Sequence, residues 1–367
     1  MASGPVRRRA GGAPGSGPVS QPRGPGRPLG PGKPRGLSKP RGSGEQSAVR
    51  VAAIDCGTNS LRLLIADVDR LSGELVDVDR RMEIVRLGQG VDATGRLAPD
   101  ALARTFRVLD EYAGAIRKTS ATSVRMVATS ATRDAANTDE FVGGVTGILG
   151  VAPEVLSGDE EACLSFTGAT AELCSEPPPP YLVVDIGGGS TEFVIGTVAE
   201  GAGRAGAARP TAALSVDIGC VRLTERHLHA DPPRPAEISA AAADIDAALD
   251  MVAAKVPVAS ARTLIGLAGS VTTVAGIALG LAAYDPARIH HARIPAAGVH
   301  EVTRELLGQT REQRARLGVM HPGRVDVIGA GALVLDRVLT RFRFAEVMAS
   351  EHDILDGIAW ALVPGRP

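Results

Sequence analysis

The chain has 367 residues, of which 44% are hydrophobic and 22% charged, which is enough to build the cores of two domains. Aromatic residues make up only 3%, so stacking platforms for single-stranded nucleic acid, and with them a nucleic-acid partner, are not expected. Cys56, Cys163, Cys174 and Cys220 are far apart, without a C-x-x-C pair, and indicate neither a disulfide framework nor a zinc site. No apolar run reaches the roughly 18 residues of a membrane span, so we predict a cytoplasmic protein without a membrane partner.

The net charge of −1 conceals an uneven distribution. Residues 1–50 hold ten Lys or Arg and one acid, a charge of +9, whereas the rest of the chain holds 30 basic and 40 acidic residues, a charge of −10. Residues 1–48 are mostly Gly, Pro, Arg and Ser and are predicted to be disordered, since they have almost nothing to bury. This segment has three possible interpretations: a basic arm that binds polyanions, a neutral extension, or a start codon assigned too far upstream. The last two are favoured.

Two stretches of the chain are copies of one pattern. Residues 52–68, AAIDCGTNSLRLLIADV, align without gaps with residues 182–198, LVVDIGGGSTEFVIGTV, and each predicts two strands joined by a polar turn. Glycines in these turns permit positive φ and close backbone approach. Turn N–H groups can then bind an anion, while Asp55 or Asp185 at the strand end holds a hard cation. An ordinary β-hairpin is the alternative, but two copies indicate a duplicated fold with a cleft between facing halves.

The elements between the two copies supply further polar candidates. Residues 74–85 are predicted to be extended, and residues 99–118 to form a helix, because their apolar residues recur with a period of about 3.6. A strand is predicted at Ser123–Ala128. The stretch TSATRD at 129–134 is expected to open a helix at Ala135, where free N–H groups attract anions and Arg133 could clamp a phosphate. A capped loop with a surface arginine is the alternative.

The stretch SGDEEA at residues 157–162 predicts the start of a helix that runs to about Cys174. Acidic residues in a first helical turn often serve only as caps. Glu160 and Glu161, however, point about 100° apart around a helix axis. One of them can therefore cap the helix while the other faces a cleft.

The second half continues the alternation of strands and helices. We predict a loop at 199–210, strands at 213–219 and 263–268, and helices at 222–229, 238–256, 299–309, 324–342 and 353–362. The second of these strands leads into GSVTT, residues 269–273, another glycine turn and helix start. His290 and His291 are adjacent, too close for tetrahedral metal ligation, and are predicted to be surface residues.

Taken together, AIDCGTNSLRLLIAD, TSATRDA, SGDEEA, DIGGGSTEFVIG and GLAGSVTT resemble the exopolyphosphatase/guanosine-pentaphosphatase (Ppx/GppA) family. That family belongs to the actin-like, sugar-kinase and Hsp70-like ATPase superfamily. The resemblance implies an α/β fold of two actin-like (ribonuclease H-like) domains, each with a mixed five-stranded sheet and flanking helices. The domains would span 49–178 and 179–367, with the active site between them. A homodimer is common among relatives and is an open expectation.

The resemblance also implies roles for individual residues. Glu161 matches the family's catalytic base, and Asp185, with Asp55 as its counterpart, matches the Mg²⁺-binding position. The phosphate-binding positions fall on two hairpin turns, one arginine and a third loop: Gly57, Thr58, Asn59, Ser60, Arg133, Gly187, Gly188, Gly189, Ser190, Gly269 and Ser270. Arg62, Arg86, Arg133 and Arg222 are candidates for a polyanion path, although surface solvation is the more common role of a single arginine. The acidic segment 350–357 has no assigned role.

The resemblance implies hydrolysis of a terminal phosphoanhydride, and a Mg²⁺-dependent exopolyphosphatase acting on inorganic polyphosphate is the expected activity. Phosphoryl transfer needs charge neutralisation and an oriented water, which these residue types can supply. A guanosine pentaphosphate (pppGpp) phosphohydrolase is an alternative with the same chemistry. A nucleotide- or polyphosphate-binding actin-like protein without turnover is an alternative of another class, and it would not need Glu161.

Overall fold

The computed structural model describes residues 48–173, 177–199 and 208–363. The predicted tail lies outside these ranges except for Ala48, which begins the first strand. The predicted helix end at Cys174 and most of the predicted loop at 199–210 also lie outside them. Within the described ranges, no helix has both the length and the hydropathy needed to cross a bilayer.

The first of two mixed sheets contains the first predicted hairpin. Its five strands are β1 (Ala48–Cys56), β2 (Ser60–Asp69), β3 (Leu75–Ile84), β4 (Ser123–Ala128) and β5 (Glu154–Val155). They lie in the order β3-β2-β1-β4-β5. Strand β1 pairs antiparallel with β2 and parallel with β4, so its apolar residues are buried at the centre of the sheet. The predicted strand at 123–128 is confirmed.

The second sheet repeats this arrangement. Its strands are β6 (Tyr181–Ile186), β7 (Thr191–Val198), β8 (Ala208–Val216), β9 (Thr263–Leu267), β10 (Arg293–Pro295) and β11 (Glu346–Ala349). Their order is β10-β11-β9-β6-β7-β8, and β6 lies between antiparallel β7 and parallel β9 as β1 does between its neighbours. The three-residue edge strand β10 is additional to the expected five. Ala208–Val216 begins inside the predicted loop, because pairing with β7 extends the strand.

Helices cover the faces of both sheets. Those of the described ranges are α1 (Val91–Thr94), α2 (Pro99–Thr119), α3 (Ser130–Arg133), α4 (Thr138–Leu149), α5 (Gly158–Thr170), α6 (Cys220–His227), α7 (Pro235–Lys255), α8 (Ala268–Ala278), α9 (Pro286–Ile289), α10 (Ala296–Gly308), α11 (Arg311–Ala315), α12 (Ile328–Phe342) and α13 (Ile354–Ala361). Single 3₁₀ turns occur at Val258–Ser260 and Pro322–Arg324. The predicted amphipathic helix at 99–118 is confirmed as α2.

The prediction of a helix opening at Ala135 is wrong. The hydroxyl-rich stretch itself forms the single turn α3, and the next helix, α4, begins only at Thr138. Asn137 keeps the two helices apart, since its side-chain amide exchanges two hydrogen bonds, of 2.8 and 3.1 Å, with the backbone of Leu97. A partner 40 residues away decides this boundary.

Helices from each half of the chain pack on the sheet of the other half. Helix α5 precedes the predicted domain boundary but packs against β7 and β8, whereas α13, near the other end of the described chain, packs against β1, β2 and α5. Around α13, Val51, Leu64, Ile358 and Trp360 share one apolar core. The boundary at 178/179 stays a prediction, but the cores on its two sides are interlocked.

Trp360 should be essential for stability, because its side chain is only 3% exposed and its indole N–H donates to the Gly73 carbonyl at 3.0 Å. Replacement by alanine should lower the free energy of unfolding by about 3–5 kcal/mol. Urea unfolding followed by circular dichroism measures this loss. The matched control is Leu71→Ala in the neighbouring β2–β3 turn, where the side chain is 85% exposed. Equal unfolding midpoints for the two variants would contradict the packing described for α13.

Candidate active site

The two hairpins place charged side chains at two corresponding positions. The charge has the same sign at the first position and the opposite sign at the second. Asp55 at the end of β1 lies opposite Arg62 on β2, and Asp185 at the end of β6 lies opposite Glu192 on β7. In each turn a glycine N–H, from Gly57 or Gly187, donates to a serine carbonyl at 3.0 Å. Because directly opposed residues of antiparallel strands share one face, the first hairpin carries an acid–base pair and the second carries two acids.

The two turns touch each other, and this contact explains the glycines. A Cβ atom on Gly189 would lie 2.4 Å from Ser130 Oγ and 2.7 Å from Thr58 Oγ1, and one on Gly188 would lie 2.9 Å from Thr58 Cβ. Gly57, Gly187, Gly188 and Gly189 do not use the positive φ that glycine permits. Gly188 and Gly189 instead provide close backbone approach, because a side chain there would collide with Thr58 or Ser130, which are hydrogen-bonded to each other at 2.9 Å.

A cavity of about 90 Å³, which we call the inner cavity, lies between the turns. Twelve of the fourteen predicted site residues line it: Asp55, Gly57, Thr58, Asn59, Ser60, Glu161, Asp185, Gly187, Gly188, Ser190, Gly269 and Ser270. The predicted strand and helix at 263–273 therefore reach the same place as the two hairpins. The cleft is built from both halves of the chain.

Arg133 and Gly189 lie behind this lining. Arg133 donates from Nη1 to the Leu156 carbonyl at 2.9 Å and to Glu161 Oε2 at 3.2 Å, so it contacts the carboxylate of Glu161 rather than the cavity. Gly189 packs against Ser130 and Thr58 and accepts from Arg222 Nε at 2.7 Å. Their predicted contacts with phosphate stay predictions.

The backbone amides of the turns are available for a ligand. Within the described ranges, the N–H groups of Thr58, Asn59, Gly188 and Gly189 make no hydrogen bond. The same holds for the N–H groups of Gly269 and Ser270 in the first turn of α8. Unpaired N–H groups of turns and helix starts that line one cavity favour an anion.

Glu161 faces the inner cavity because its neighbour caps the helix. Glu160 and Ser157 form a capping box in which the Glu160 carboxylate accepts from the Ser157 N–H at 2.9 Å. Glu161 is consequently turned inward and is 8% exposed. Burial, and next the negative charge of Glu192, raise the pKa of Glu161 well above its usual value. The division of labour that the sequence allowed between two adjacent acids is present.

Asp185 and Glu192 are buried together without a direct basic partner. Asp185 accepts from Ser165 Oγ at 2.8 Å, and Glu192 accepts from Ser190 and Ser215, each at 2.7 Å. Burial and then nearby acids raise the pKa of Asp185 to about 6 and that of Glu192 to about 7. Hydroxyl groups satisfy part of their hydrogen-bonding capacity but leave their charge uncompensated.

Asp55 is already neutralised. Its Oδ2 atom accepts from Arg62 Nε at 2.9 Å and from Nη2 at 2.7 Å, and Arg62 also pairs with Asp353. Burial disfavours the charged form of Asp353, but Arg62 and the Leu355 N–H outweigh it and lower the pKa of Asp353. The segment 350–357, which had no assigned role, thus reaches the cleft through Asp353.

Two residues of the site were missed from the sequence. Arg324 lines the inner cavity and, within the described ranges, has no carboxylate partner; burial lowers the pKa of its guanidinium. Nothing local in HPGR marks it as a site residue. Glu192 could have been found, because it occupies in the second copy the position that Arg62 occupies in the first.

Of the other arginines proposed for a polyanion path, only Arg62 lines the inner cavity. Arg86 pairs with Asp326 at 2.9 Å. Arg222 bridges Asp92, at 2.6 Å, and Asp134, at 2.5 Å. The latter two arginines therefore hold segments of the chain together.

Two facing glycine-turn hairpins on duplicated mixed sheets, with a buried carboxylate at the cleft, define an actin-like α/β phosphatase architecture. The chain belongs to the Ppx/GppA phosphatase family, whose model matches residues 64–364, and it is a phosphoanhydride hydrolase. It is 51% identical over 324 residues to exopolyphosphatase 2 of Mycobacterium tuberculosis strain H37Rv, covering 85% of this chain and 98% of that protein.

More distant and structural similarities agree with this family. The chain is 28% identical over 312 residues to guanosine-5'-triphosphate,3'-diphosphate pyrophosphatase of Aeromonas salmonicida, covering 85% of this chain and 59% of that protein. A crystal structure of an exopolyphosphatase-like protein superimposes with a TM-score of 0.81 at 44% identity, covering 86% of this chain and 98% of that one. These similarities extend over both sheets.

In metal-free buffer, the free energy of unfolding should fall as the pH rises from about 5 to about 7. The folded-state pKa values of Asp185 and Glu192, about 6 and about 7, exceed the ordinary values of 3.8 and 4.5, so the folded state binds more protons in this interval. Raising the pH therefore favours unfolding, by about 1 kcal/mol per pH unit for each group while it titrates.

Urea unfolding in EDTA at several pH values measures this slope. Glu192→Gln should flatten it, whereas Glu160→Gln, at an exposed capping position, should leave it unchanged. A wild-type stability that rises across the interval would contradict the raised pKa values.

Proposed function

We propose that the protein is an exopolyphosphatase that hydrolyses the terminal phosphoanhydride of inorganic polyphosphate and releases orthophosphate. The observation that carries this proposal is the buried carboxylate of Glu161 in a cavity lined by unpaired turn amides from both hairpins. The similarity to a protein named exopolyphosphatase 2, at 51% identity over nearly its full length, supports the choice of substrate. The proposed location is the cytoplasm.

The turn amides and the buried arginines would hold the terminal phosphoryl group. N–H groups of both hairpins can donate to its oxygens, and the guanidinium group of Arg324, which has no carboxylate partner in the described ranges, offers positive charge beside them. Arg62 also lines the cavity, but its charge is shared with Asp55 and Asp353. Fixed donors of this kind act in a water-poor site where they need no reorganisation during the reaction. They would stabilise the charge that develops in phosphoryl transfer.

Glu161 would orient the attacking water and accept its proton. A general base works best when its pKa lies near the operating pH, and the burial of Glu161 moves its pKa in that direction. The ion pair with Arg133 at 3.2 Å fixes the direction of the carboxylate. In this arrangement Arg133 is a positioning residue.

The donor set suits Mg²⁺, which prefers carboxylate oxygen and water as ligands. Asp185 is the best placed ligand, because within the described part of the chain only Ser165 donates to its carboxylate, at Oδ2, and no arginine pairs with it. Asp55 has its charge neutralised by Arg62 and would be the weaker ligand. The bound ion would neutralise charge on the phosphoryl oxygens. It would also relieve the repulsion among Asp185, Glu192 and Glu161.

A second cavity favours pppGpp as a second candidate substrate. This outer cavity, of about 460 Å³, shares Arg62, Gly269 and Arg324 with the inner one. Its further lining includes Tyr284 and Met320, which offer the apolar surface that a nucleoside would use. A linear polyphosphate needs only the arginines.

Glu161→Gln should lower kcat by about 10²- to 10⁴-fold, because the water loses its proton acceptor while the shape of the site is kept. Phosphate release from long polyphosphate, short polyphosphate and pppGpp measures the loss, and the larger wild-type kcat/KM identifies the substrate. Glu160→Gln is the matched control, since it lies one residue away in the capping box, and its kcat should stay near that of wild type. Equal turnover by Glu161→Gln and wild type would overturn the role of the base, and no release by wild type would favour a binding protein.

Asp185→Asn should abolish the Mg²⁺ binding that calorimetry detects in wild type, and it should lower kcat about 10²-fold or more, since the ion contributes several kcal/mol of charge stabilisation. Asp55→Asn should have the smaller effect on Mg²⁺ affinity because Arg62 already neutralises Asp55. Unchanged binding in Asp185→Asn, or a larger loss in Asp55→Asn, would contradict this assignment.

A further inference from the structure

A second group of metal-ligating side chains lies outside the cleft. Glu172 follows α5, His290 follows α9, and His352 lies in the loop between β11 and α13. One ligand atom from each of these three residues lies within 4.8 Å of the others. Residues from three separate parts of the chain therefore converge on one point.

The nitrogen atoms that face this point are unsatisfied. His290 Nε2 and His352 Nδ1 are buried and have no hydrogen-bond partner among the residues that the structure describes. They lie 3.7 and 3.4 Å from Glu172 Oε2, too far for a good hydrogen bond. Buried polar atoms are normally paired, so two orphaned nitrogens beside one carboxylate indicate a missing group.

The spacing fits a small tetrahedral ion. Bonds of about 2.0–2.1 Å from Zn²⁺ to nitrogen or oxygen at tetrahedral angles place neighbouring ligand atoms about 3.3–3.4 Å apart. The observed separations from Glu172 Oε2 are 3.4 and 3.7 Å. The three side chains are 22–30% exposed, so an ion can enter and water can take a fourth position.

A third histidine lies next to the group. His291 stacks on His290 with ring centroids 3.7 Å apart, and both are half-buried rather than at the surface as predicted. His291 itself lies outside the group of Glu172, His290 and His352.

We infer that Glu172, His290 and His352 form a binding site for Zn²⁺ or a similar transition-metal ion, separate from the Mg²⁺ site proposed in the cleft. A set of two imidazoles and one carboxylate binds Zn²⁺ in preference to Mg²⁺. The ion would fasten the 350–353 loop to the end of α5. This inference does not depend on the proposed polyphosphatase activity.

Binding would change a hydrogen bond at the edge of the outer cavity. His290 Nδ1 accepts from the Glu351 N–H at 3.2 Å, which in a neutral ring places the proton on Nε2. A metal ion on Nε2 displaces that proton to Nδ1, which then cannot accept. Glu351, whose carboxylate accepts from Tyr284 at 2.7 Å in the outer cavity, must release its amide from His290. Zinc occupancy is thereby linked to the loop that carries Asp353.

Calorimetric titration of the EDTA-treated, dialysed protein with ZnCl₂ in excess MgCl₂ tests the site. Wild type should bind one equivalent, and His290→Gln or His352→Gln should lower the affinity at least about 100-fold, more than the loss of an outer partner does. His300→Gln is the matched control, because its ring is 70% exposed and away from the cluster, and it should bind like wild type. Asp185→Asn should also retain the zinc. No uptake by wild type, or uptake lost in Asp185→Asn and kept in His352→Gln, would overturn the site.

A second measurement needs no variant. Zinc K-edge absorption of the wild-type protein loaded with one equivalent should show two imidazole ligands, and an all-oxygen shell would overturn the inference. Hydrogen exchange at the Glu351 amide should become faster on loading with zinc. Unchanged exchange would overturn the link between the metal site and the loop.

Discussion

The close contact between the two glycine turns is the constraint on which the site depends. Gly188 and Gly189 lie directly against Thr58 and Ser130, so the second turn has no room for a side chain there. This contact sets the separation of the two hairpins and hence the width of the inner cavity. The unpaired amides of both turns can act on one phosphoryl group only because the turns are this close.

The charges around the cavity follow from the duplication and from a charge difference between the two copies. Equivalent positions hold Arg62 in the first copy and Glu192 in the second, so Asp55 is neutralised while Asp185 is not. An uncompensated buried acid is costly for stability and useful for binding a cation. The repulsion among buried acidic groups is thus concentrated on the side of the cleft where Glu161 also lies.

Local patterns predicted most of the fold, because hairpins, helix starts and apolar periodicity are encoded within short stretches. Both hairpins and α2 could be predicted for this reason, and so could the division of roles between Glu160 and Glu161, although the choice of Glu161 as the inward acid came from the family resemblance. The break at Asn137, the unpartnered Arg324 and the convergence of His290 with His352 could not. Each depends on partners distant in the chain, and Arg62 meets Asp353 across 291 positions. Of the two uses that glycine permits in the cleft turns, Gly188 and Gly189 serve close approach and not positive φ, and local sequence could not decide between the two because the crowding comes from Thr58 and Ser130.

The interlocking of α5 and α13 has a consequence for folding. The first sheet is covered by a helix whose Trp360 contacts Gly73 across 287 positions, so its core closes only after most of the described chain has been brought together. Contacts of such long sequence separation slow folding, because chain entropy must be lost before burial compensates for it. A fragment that ends before α13 would leave Val51 and Leu64 uncovered. The core of the first sheet, and with it one wall of the cleft, is therefore complete only once α13 has docked.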